Sequence, residues 1–222
     1  MIRIAIDGPS GAGKSSVAKI VAKKLGCIYV DTGAMYRAVA LYLYRRGIDP
    51  DEKDKVIAAL PEVRIGLSYE EDGTQHVLLC EEDVSREIRE NHVSMLASRA
   101  SAIPEVRAHL LELQRDMARR HSVVMDGRDI GTVILPDAEV KIFLSASAHI
   151  RAVRRAAELK EKGTPISVEQ LEAEIEARDE NDRTRSASPC VPAEDAVSLD
   201  NSDLTLEQTA DAILRIAEER IK

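Results

Sequence analysis

The sequence predicts an α/β fold in which helices flank a parallel sheet. Short apolar runs occupy residues 2–6, 27–30, 122–125 and 140–144. Each of the first two runs is followed by a segment with apolar residues at helical spacing, 14–25 and 34–46. A glycine directly follows each of these segments. Strands that alternate with helices of this length are typical of a parallel sheet with right-handed crossovers.

One stretch in the middle of the chain interrupts this alternation. Within residues 62–90, the apolar runs 63–67 and 76–79 flank a turn-like segment at 70–73. We interpret this stretch as a small antiparallel insertion on the α/β core. The remaining patterns predict helices at 93–103, 105–120, 148–162, 167–185 and 206–221, and a short strand at 196–199.

Composition excludes several classes of protein. A length of 222 residues favours one catalytic unit with one sizeable core. The net charge of -8 and an aromatic content of 3% argue against a nucleic-acid-binding module, which usually has a basic or aromatic face. Three widely spaced cysteines support neither a disulfide framework nor a zinc site. With no targeting or membrane-spanning pattern, we expect a cytoplasmic monomer without a membrane or nucleic-acid partner.

A glycine-rich phosphate-binding motif follows the first predicted strand. GPSGAGKS matches G-x-x-x-x-G-K-[ST] and opens the first predicted helix, as the mechanism of that motif requires. Backbone N–H groups of such a loop cradle phosphate oxygens, and the helix N-terminus adds positive potential. Lys14 is predicted to reach the β- and γ-phosphates of ATP, and the Ser15 hydroxyl to bind Mg²⁺. The predicted ATP-binding residues are Gly8, Pro9, Ser10, Gly11, Ala12, Gly13, Lys14, Ser15 and Ser16.

This motif predicts nucleotide binding but does not distinguish switches, motors and small-molecule kinases. The guanine-reading pattern N-K-x-D is absent from the sequence, which argues against a GTPase switch. A kinase for a phosphorylated acceptor needs arginines for the acceptor's own phosphate, because the planar guanidinium binds phosphate through two N–H groups. Arg37 follows the second strand and Arg128 follows another, so both are expected at the carboxyl edge of the sheet. Taken alone, Arg37 also fits a solvated helix arginine, which is the less favoured interpretation.

Four segments together resemble one enzyme family. GPSGAGKSS, DTGAMYR, DGRDIGTVILPDA and RDENDRTRSASPCVPA are similar to those of bacterial cytidylate kinases, over nearly the whole chain. The combination of DGRDIGT with RDxxDRxR is much more selective than the phosphate-binding motif. The resemblance implies a P-loop NTPase three-layer sandwich with a five-stranded parallel sheet, forming one domain over 1–222. It also implies an acceptor-binding insertion at about 62–90 and a helical lid at about 148–165.

The same resemblance implies the activity and the site residues. The chain is expected to transfer the γ-phosphoryl group of ATP to CMP or dCMP with Mg²⁺. Lys14, Arg128 and the lid arginines Arg151, Arg154 and Arg155 are the implied catalytic residues. The implied CMP-binding residues are Thr32, Arg37, Ser98, Arg107, Arg128, Asp129, Arg178, Asp182 and Arg185. Without the family, Ser98 is adequately explained as a serine on a helix face.

Cytosine recognition provides a chemical test of this assignment. A carboxylate such as Asp129 accepts from the N4 amino group of cytosine, and an arginine donates to N3 or O2. Uracil would place its O4 against the carboxylate, which favours CMP over UMP. We expect no protein nucleophile, because phosphoryl transfer depends on positioning and charge neutralisation. Asp126 is either an orienting residue for Mg²⁺ or a turn-forming residue before Gly127.

Two alternatives remain at this point. Another small-molecule P-loop kinase, of the UMP/CMP or shikimate type, would differ in its acceptor. A non-catalytic nucleotide-binding switch would hydrolyse its nucleotide slowly without an acceptor.

Overall fold

The computed structural model describes residues 1–71, 73–161 and 163–221. Its strands, in chain order, are β1 (Arg3–Asp7), β2 (Ile28–Asp31), β3 (Ile65–Tyr69), β4 (Gln75–Leu79), β5 (Glu82–Asp83), β6 (Val123–Gly127), β7 (Val140–Ser145) and β8 (Val197–Asp200). Its α-helices are α1 (Lys14–Leu25), α2 (Thr32–Arg45), α3 (Lys53–Ala59), α4 (Asn91–Ala100), α5 (Pro104–Arg120), α6 (Ala148–Glu161), α7 (Val168–Thr184) and α8 (Leu206–Arg220).

The larger sheet has five strands in the order β2, β6, β1, β7, β8. Strand β1 pairs in parallel with both β6 and β7, with Ile4 opposite Val124 on one side and Val140 on the other. Strand β7 pairs in parallel with β8. The central strands are buried on both faces, as their uninterrupted apolar sequences predict. The predicted α/β fold with a five-stranded parallel sheet is confirmed.

The chain divides into two compact units. One consists of residues 1–27 and 122–222, and the other of residues 28–121. In the first unit, α1 packs on β6, α8 packs on β7, and the two helices pack against each other. The helix that follows the phosphate-binding motif is therefore held by both the sheet and α8. The buried faces of these two helices are formed by Val17, Ala18, Val21 and Ala22 in α1, and by Thr209, Ala210, Ile213 and Ala217 in α8.

The second unit contains the predicted insertion. Strands β3, β4 and β5 form an antiparallel sheet in which Leu67 pairs with Val77 and Leu79 with Glu82. The prediction of an antiparallel element within 62–90 is therefore confirmed, except at Asp72, which lies outside the described residues. Helices α2 and α4 pack against each other in the same unit.

Local sequence explains several helix ends. Helix α1 ends at Gly26, whose φ of 62° allows its N–H to bind the last carbonyl groups. Ser167 caps α7 by accepting from the N–H of Gln170. Helix α8 begins with a capping box, in which Thr205 and Gln208 each bind the other's backbone N–H.

The structure adds elements that the sequence patterns did not reveal. Helix α3, two short 3₁₀ turns at Leu60–Glu62 and Glu87–Arg89, and a π-helical turn at Ile130–Ile134 were not predicted. Most predicted boundaries are within two residues of the observed ones. Lys162, the predicted last residue of α6, lies outside the described residues. None of the helices within 1–71, 73–161 and 163–221 combines the length and the apolar character that a membrane crossing requires.

Candidate active site

The phosphate-binding motif forms a loop that depends on glycine at three positions. Gly8, Gly11 and Gly13 have φ angles of 146°, 77° and 82°, which side-chain-bearing residues rarely adopt. A Cβ atom at Gly8 would also lie 1.9 Å from the carbonyl oxygen of Leu144 at the end of β7. The loop therefore needs glycine at Gly8 both for its backbone conformation and for space beside β7.

Side chains hold three carbonyl groups of this loop. The Lys14 ammonium donates to the Pro9 oxygen over 2.7 Å, and Nη1 of Arg151 donates to the Ser10 oxygen over 2.9 Å. The Nδ2 of Asn201, in the turn after β8, donates to the Ala12 oxygen over 3.0 Å. These bonds fix the orientation of successive peptide planes, as a nest of N–H groups for an anion requires.

Lys14 lies in a buried, charged environment. Its side chain is 5% exposed, and burial together with the positive charge of Arg128 lowers its pKa to about 7. A phosphate group placed beside this amine would favour its protonated form. Arg128 is thus near enough to Lys14 for its positive charge to act on the amine.

Asp7, at the end of β1, is a buried carboxylate beside the loop. Burial raises the pKa of Asp7 to about 6, although the N–H groups of Ile130 and Gly131 donate to its two oxygens over 2.7 Å each. The negative charge of Asp129 raises it further. Asp7 thus fixes the start of the π-helical turn that follows Asp129.

Ser15 and Asp126 form a pair of oxygen groups at the start of α1. The Ser15 hydroxyl donates to Oδ2 of Asp126 over 2.8 Å. A hydroxyl and a carboxylate are ligands that Mg²⁺ prefers, and this ion usually retains waters and phosphate oxygens as its other ligands. No group of three or more His, Cys, Asp or Glu side chains able to hold a metal occurs in the described part of the chain. The pair therefore fits a metal that arrives with a nucleotide rather than a site built from protein side chains alone.

A second group of charges surrounds Asp182 in α7. Nε of Arg128 donates to its Oδ2 over 3.0 Å, and Nη1 of Arg185 lies 3.5 Å from its Oδ1. Burial alone would raise the pKa of Asp182, but the charges of Arg128, Arg185 and Arg178 hold it below its usual value. The structure thus brings together four of the predicted CMP-binding residues. Cys190, buried nearby, has its thiol pKa raised by burial.

The three predicted lid arginines differ in their contacts. Arg151 is buried and binds the oxygens of Ala146, Ser10 and Asp179 through Nε, Nη1 and Nη2. Arg154 binds Asn201 through both the side-chain and the backbone oxygen. Arg155 forms a partly exposed ion pair with Glu158 at 2.9 Å, within its own helix.

Of the other five predicted CMP-binding residues, Asp129 is a buried residue of the first unit, and the remaining four belong to the unit 28–121: Thr32, Arg37, Ser98 and Arg107. Asp31 caps α2 by accepting from the N–H of Ala34, and its Oδ2 binds Nη2 of Arg37 over 3.0 Å. Nη2 of Arg89 lies 3.0 Å from the same oxygen. Thr32, the first residue of α2, is buried. Two guanidinium groups, those of Arg37 and Arg89, therefore contact the carboxylate that caps the N-terminus of α2.

Ser98 and Arg107 are connected through Ser101. Nη1 of Arg107 donates to the backbone oxygen of Ser101, whose hydroxyl donates to the backbone oxygen of Ser98. The Arg107 guanidinium also lies over the Tyr36 ring, 5.2 Å from its centroid. The structure thus brings these two predicted residues into one cluster on α4 and α5.

Sequence reasoning missed three residues with well-defined contacts at these sites. Asp7 directly precedes Gly8, and a carboxylate at the end of an apolar strand was the available signal. The contact of Arg89 with Asp31 and that of Asn201 with Ala12 join residues far apart in the sequence. A single sequence has no signal for such contacts.

Comparisons with known proteins agree with this arrangement. A family model described as cytidylate kinase matches residues 4–219. The chain is 50% identical to the cytidylate kinase of Caldicellulosiruptor saccharolyticus over 215 residues, which cover 97% of this chain and 95% of that protein. It is 47% identical to the cytidylate kinase of Limosilactobacillus fermentum over 222 residues, covering 100% of this chain and 97% of that protein.

Among solved structures, the fold is similar to that of an uncharacterised protein from Eubacterium ventriosum. The TM-score is 0.52 at 12% identity, and the match covers 99% of this chain and 100% of that one. This likeness concerns the fold alone. The family match and the two relatives extend over nearly the whole sequence, including both groups of arginines, and the chain therefore belongs to the cytidylate kinase family.

Proposed function

We propose that this protein transfers the γ-phosphoryl group of ATP to CMP or dCMP, giving ADP and CDP or dCDP. The observation that carries this proposal is the position of Arg128, which directly follows Gly127, the partner of Asp7 in the sheet; Asp7 in turn precedes the loop that leads to Lys14. The Lys14 ammonium follows the glycine loop, which suits a nucleoside triphosphate. The Arg128 guanidinium is near enough to lower the pKa of Lys14. A transferable phosphoryl group and an acceptor phosphate can be neutralised side by side in such an arrangement.

The donor is held by the loop from Gly8 to Ser16, with backbone N–H groups on the phosphates and Lys14 on the transferring group. Ser15 would hold Mg²⁺ directly and Asp126 through water, and the ion would supply positive charge to the phosphate groups. Their 2.8 Å contact supports this pairing. Arg151 and Asn201 position the loop through its carbonyl groups.

The acceptor is held by its phosphate and by its base. We assign the phosphate to Arg37 and Arg128, and the cytosine to Ser98, Arg107 and Asp129. Thr32, Arg178, Asp182 and Arg185 complete the nucleotide site. An acceptor held at both ends presents its phosphate oxygen in line with the γ-phosphorus of ATP. Such positioning makes a covalent enzyme intermediate unnecessary.

Of the lid arginines, Arg155 is best suited to contact the transferring phosphoryl group. Its ion pair with Glu158 is partly exposed, and such pairs contribute little stability and exchange readily for another anion. Arg154, held by Asn201, links the lid to the turn that supports the loop. We place the reaction in the cytoplasm, because Cys27, Cys80 and Cys190 are all free thiols.

A coupled assay of ADP formation tests the proposal. CMP, dCMP, UMP, AMP and shikimate are compared as acceptors at fixed ATP and Mg²⁺. We expect turnover with CMP and dCMP, weaker turnover with UMP, and none above background with AMP or shikimate. ADP release at the same rate with and without CMP would contradict a kinase and favour a hydrolytic switch.

A further inference from the structure

Arg89 has a contact that the proposed acceptor site does not use. It ends the 3₁₀ turn Glu87–Arg89, which follows the antiparallel sheet of the insertion. Its Nη2 lies 3.0 Å from Oδ2 of Asp31, and Nη2 of Arg37 binds this same oxygen at 3.0 Å. Two guanidinium groups from separate segments therefore meet at one carboxylate oxygen.

The charges in this cluster do not balance. Asp31 is 5% exposed, and burial alone would raise its pKa. The positive charges of Arg37 and Arg89 and the N–H of Ala34 instead hold the pKa of Asp31 below its usual value, so the carboxylate is ionised at neutral pH. Two arginines and one aspartate leave one positive charge. The N-terminus of α2, which Asp31 caps, adds further positive potential.

The excess positive charge of this cluster favours the binding of a dianion. A phosphate monoester carries about 1.5 to 2 negative charges at neutral pH and accepts several hydrogen bonds. The Arg89 side chain is 53% exposed. Its guanidinium has five N–H donors, and only the nitrogen Nη2 contacts Asp31. The buried carboxylate thus holds the two guanidinium groups together while the rest of Arg89 stays accessible to a ligand.

The space around the cluster is also restricted. A Cβ atom at Gly33 would lie 3.2 Å from Nη1 of Arg37 and 3.2 Å from Oδ1 of Asp31. Any side chain at this position would therefore press on the cluster. Glycine at this position leaves room beside the Arg37 guanidinium and the Asp31 carboxylate.

We propose that Arg89 is a second phosphate-binding guanidinium of the acceptor site, positioned with Arg37 by their shared carboxylate, Asp31. This inference rests on the proposed function, because it takes the acceptor to be a nucleoside monophosphate. It gives the insertion a chemical role: the turn after its three strands supplies positive charge to the acceptor phosphate.

Calorimetric titration of the intact protein with CMP and with cytidine tests the inference. Cytidine has the same base and sugar but no phosphate. We expect Arg89→Ala to weaken CMP binding by roughly 10- to 100-fold, in line with loss of charged hydrogen bonds. Cytidine and ATP affinities should stay within about twofold, because neither contacts Arg89. Arg89→Lys, which keeps a point charge, should restore part of the CMP affinity.

Arg86→Ala is the matched control. Arg86 precedes the same turn, has the same charge and is exposed, but the structure gives it no contact with Asp31. We expect this variant to bind CMP as the wild type does. Arg89→Gln provides a second neutral variant that keeps the length of the side chain, should Arg89→Ala fail to fold.

Three results would overturn the inference. Unchanged CMP affinity in Arg89→Ala and Arg89→Gln would exclude a phosphate contact. An equal loss of CMP and cytidine affinity would show that Arg89 only stabilises the insertion. A wild type that neither binds nor phosphorylates CMP would refute the proposed function itself, which distinguishes that failure from the first two.

Discussion

Nε of Arg128 donates a hydrogen bond to Oδ2 of Asp182 over 3.0 Å, which joins the end of β6 to α7. Asp182 is buried, the Arg128 side chain is 21% exposed, and Asp182 also faces Arg185. A guanidinium held in this way has a fixed position before any ligand arrives, and this lowers the entropic cost of binding a phosphate.

Replacement of Arg128 by alanine should therefore cripple turnover. We expect kcat/KM for CMP to fall by roughly 10²- to 10³-fold, the usual effect of removing one donor to a developing charge. ATP affinity should change by no more than about threefold, since the loop contacts remain. Steady-state kinetics and ATP titration measure the two effects. Arg183→Ala, on the exposed side of α7, is the control, and unchanged kinetics for Arg128→Ala would exclude Arg128 from the acceptor phosphate.

ATP binding should be accompanied by proton uptake at Lys14. The pKa of Lys14 in the free protein is about 7, so at pH 8 most molecules hold it uncharged. Phosphate oxygens beside the amine favour its protonated form, and we expect an uptake approaching one proton per ATP. Titration at pH 8 in two buffers of different ionisation enthalpy measures it. Lys14→Arg, which stays charged throughout, should lack this uptake, and equal uptake in both proteins would contradict the assignment.

The same lysine predicts how stability without nucleotide depends on pH. Its pKa is about 7 in the folded protein and 10.5 in the unfolded chain. Between these values the unfolded chain binds the extra proton, so the contribution of Lys14 to the free energy of unfolding rises with pH. Below pH 7 both states are charged and the contribution is at its minimum. Urea unfolding of wild type and Lys14→Met at pH 7 and pH 9 should show a smaller increase in the variant.

Gly8→Ala should disrupt the loop and its ATP site. The added Cβ would lie 1.9 Å from the Leu144 oxygen, so the loop or β7 must move. Gly11→Ala is the matched control, because its backbone is also left-handed but its Cβ would meet the Arg151 side chain at an ordinary 3.5 Å. We expect a larger fall in Tm and in ATP affinity for Gly8→Ala than for Gly11→Ala. Thermal unfolding and ATP titration decide, and equal effects would refute the steric argument.

Asn201→Asp should weaken ATP binding from outside the loop. The carboxylate cannot donate to the Ala12 oxygen and places negative charge beside it. Loss of such a bond costs about 1 kcal/mol, so KM for ATP should rise roughly fivefold. KM for CMP should change little. Asp203→Asn, an exposed position in the same turn, is the control, and a parallel rise in both KM values would indicate general destabilisation instead.

Local patterns were sufficient to predict the phosphate-binding loop and the strands that carry it. The loop needs residue types at fixed spacing, and Gly8, Lys14 and Ser15 satisfy that requirement within eight positions. The strands around it are buried on both faces, so their apolar runs were easy to recognise. The antiparallel insertion was predicted from two short runs and a turn between them.

Contacts between distant segments could not be predicted in this way. Asp7 orders the π-helical turn through the N–H groups of Ile130 and Gly131, and a turn one residue wider than an α-helix has no distinct sequence pattern. The local sequence does not distinguish Arg89 from a surface arginine, because its partner Asp31 lies in a distant segment. The roles of Arg178, Asp182 and Arg185 came from family resemblance, since spacing on a helix does not say what the helix faces.

The arrangement of β1 between β6 and β7 has a consequence for biosynthesis. Strand β1 pairs on both sides with strands that lie more than a hundred residues later in the sequence, and the loop after it is held by Arg151 and Asn201. During synthesis, this strand and the loop after it therefore cannot form their native contacts until these distant segments have been translated. Apolar residues of the strand stay exposed during that interval, which favours aggregation of the unfinished chain.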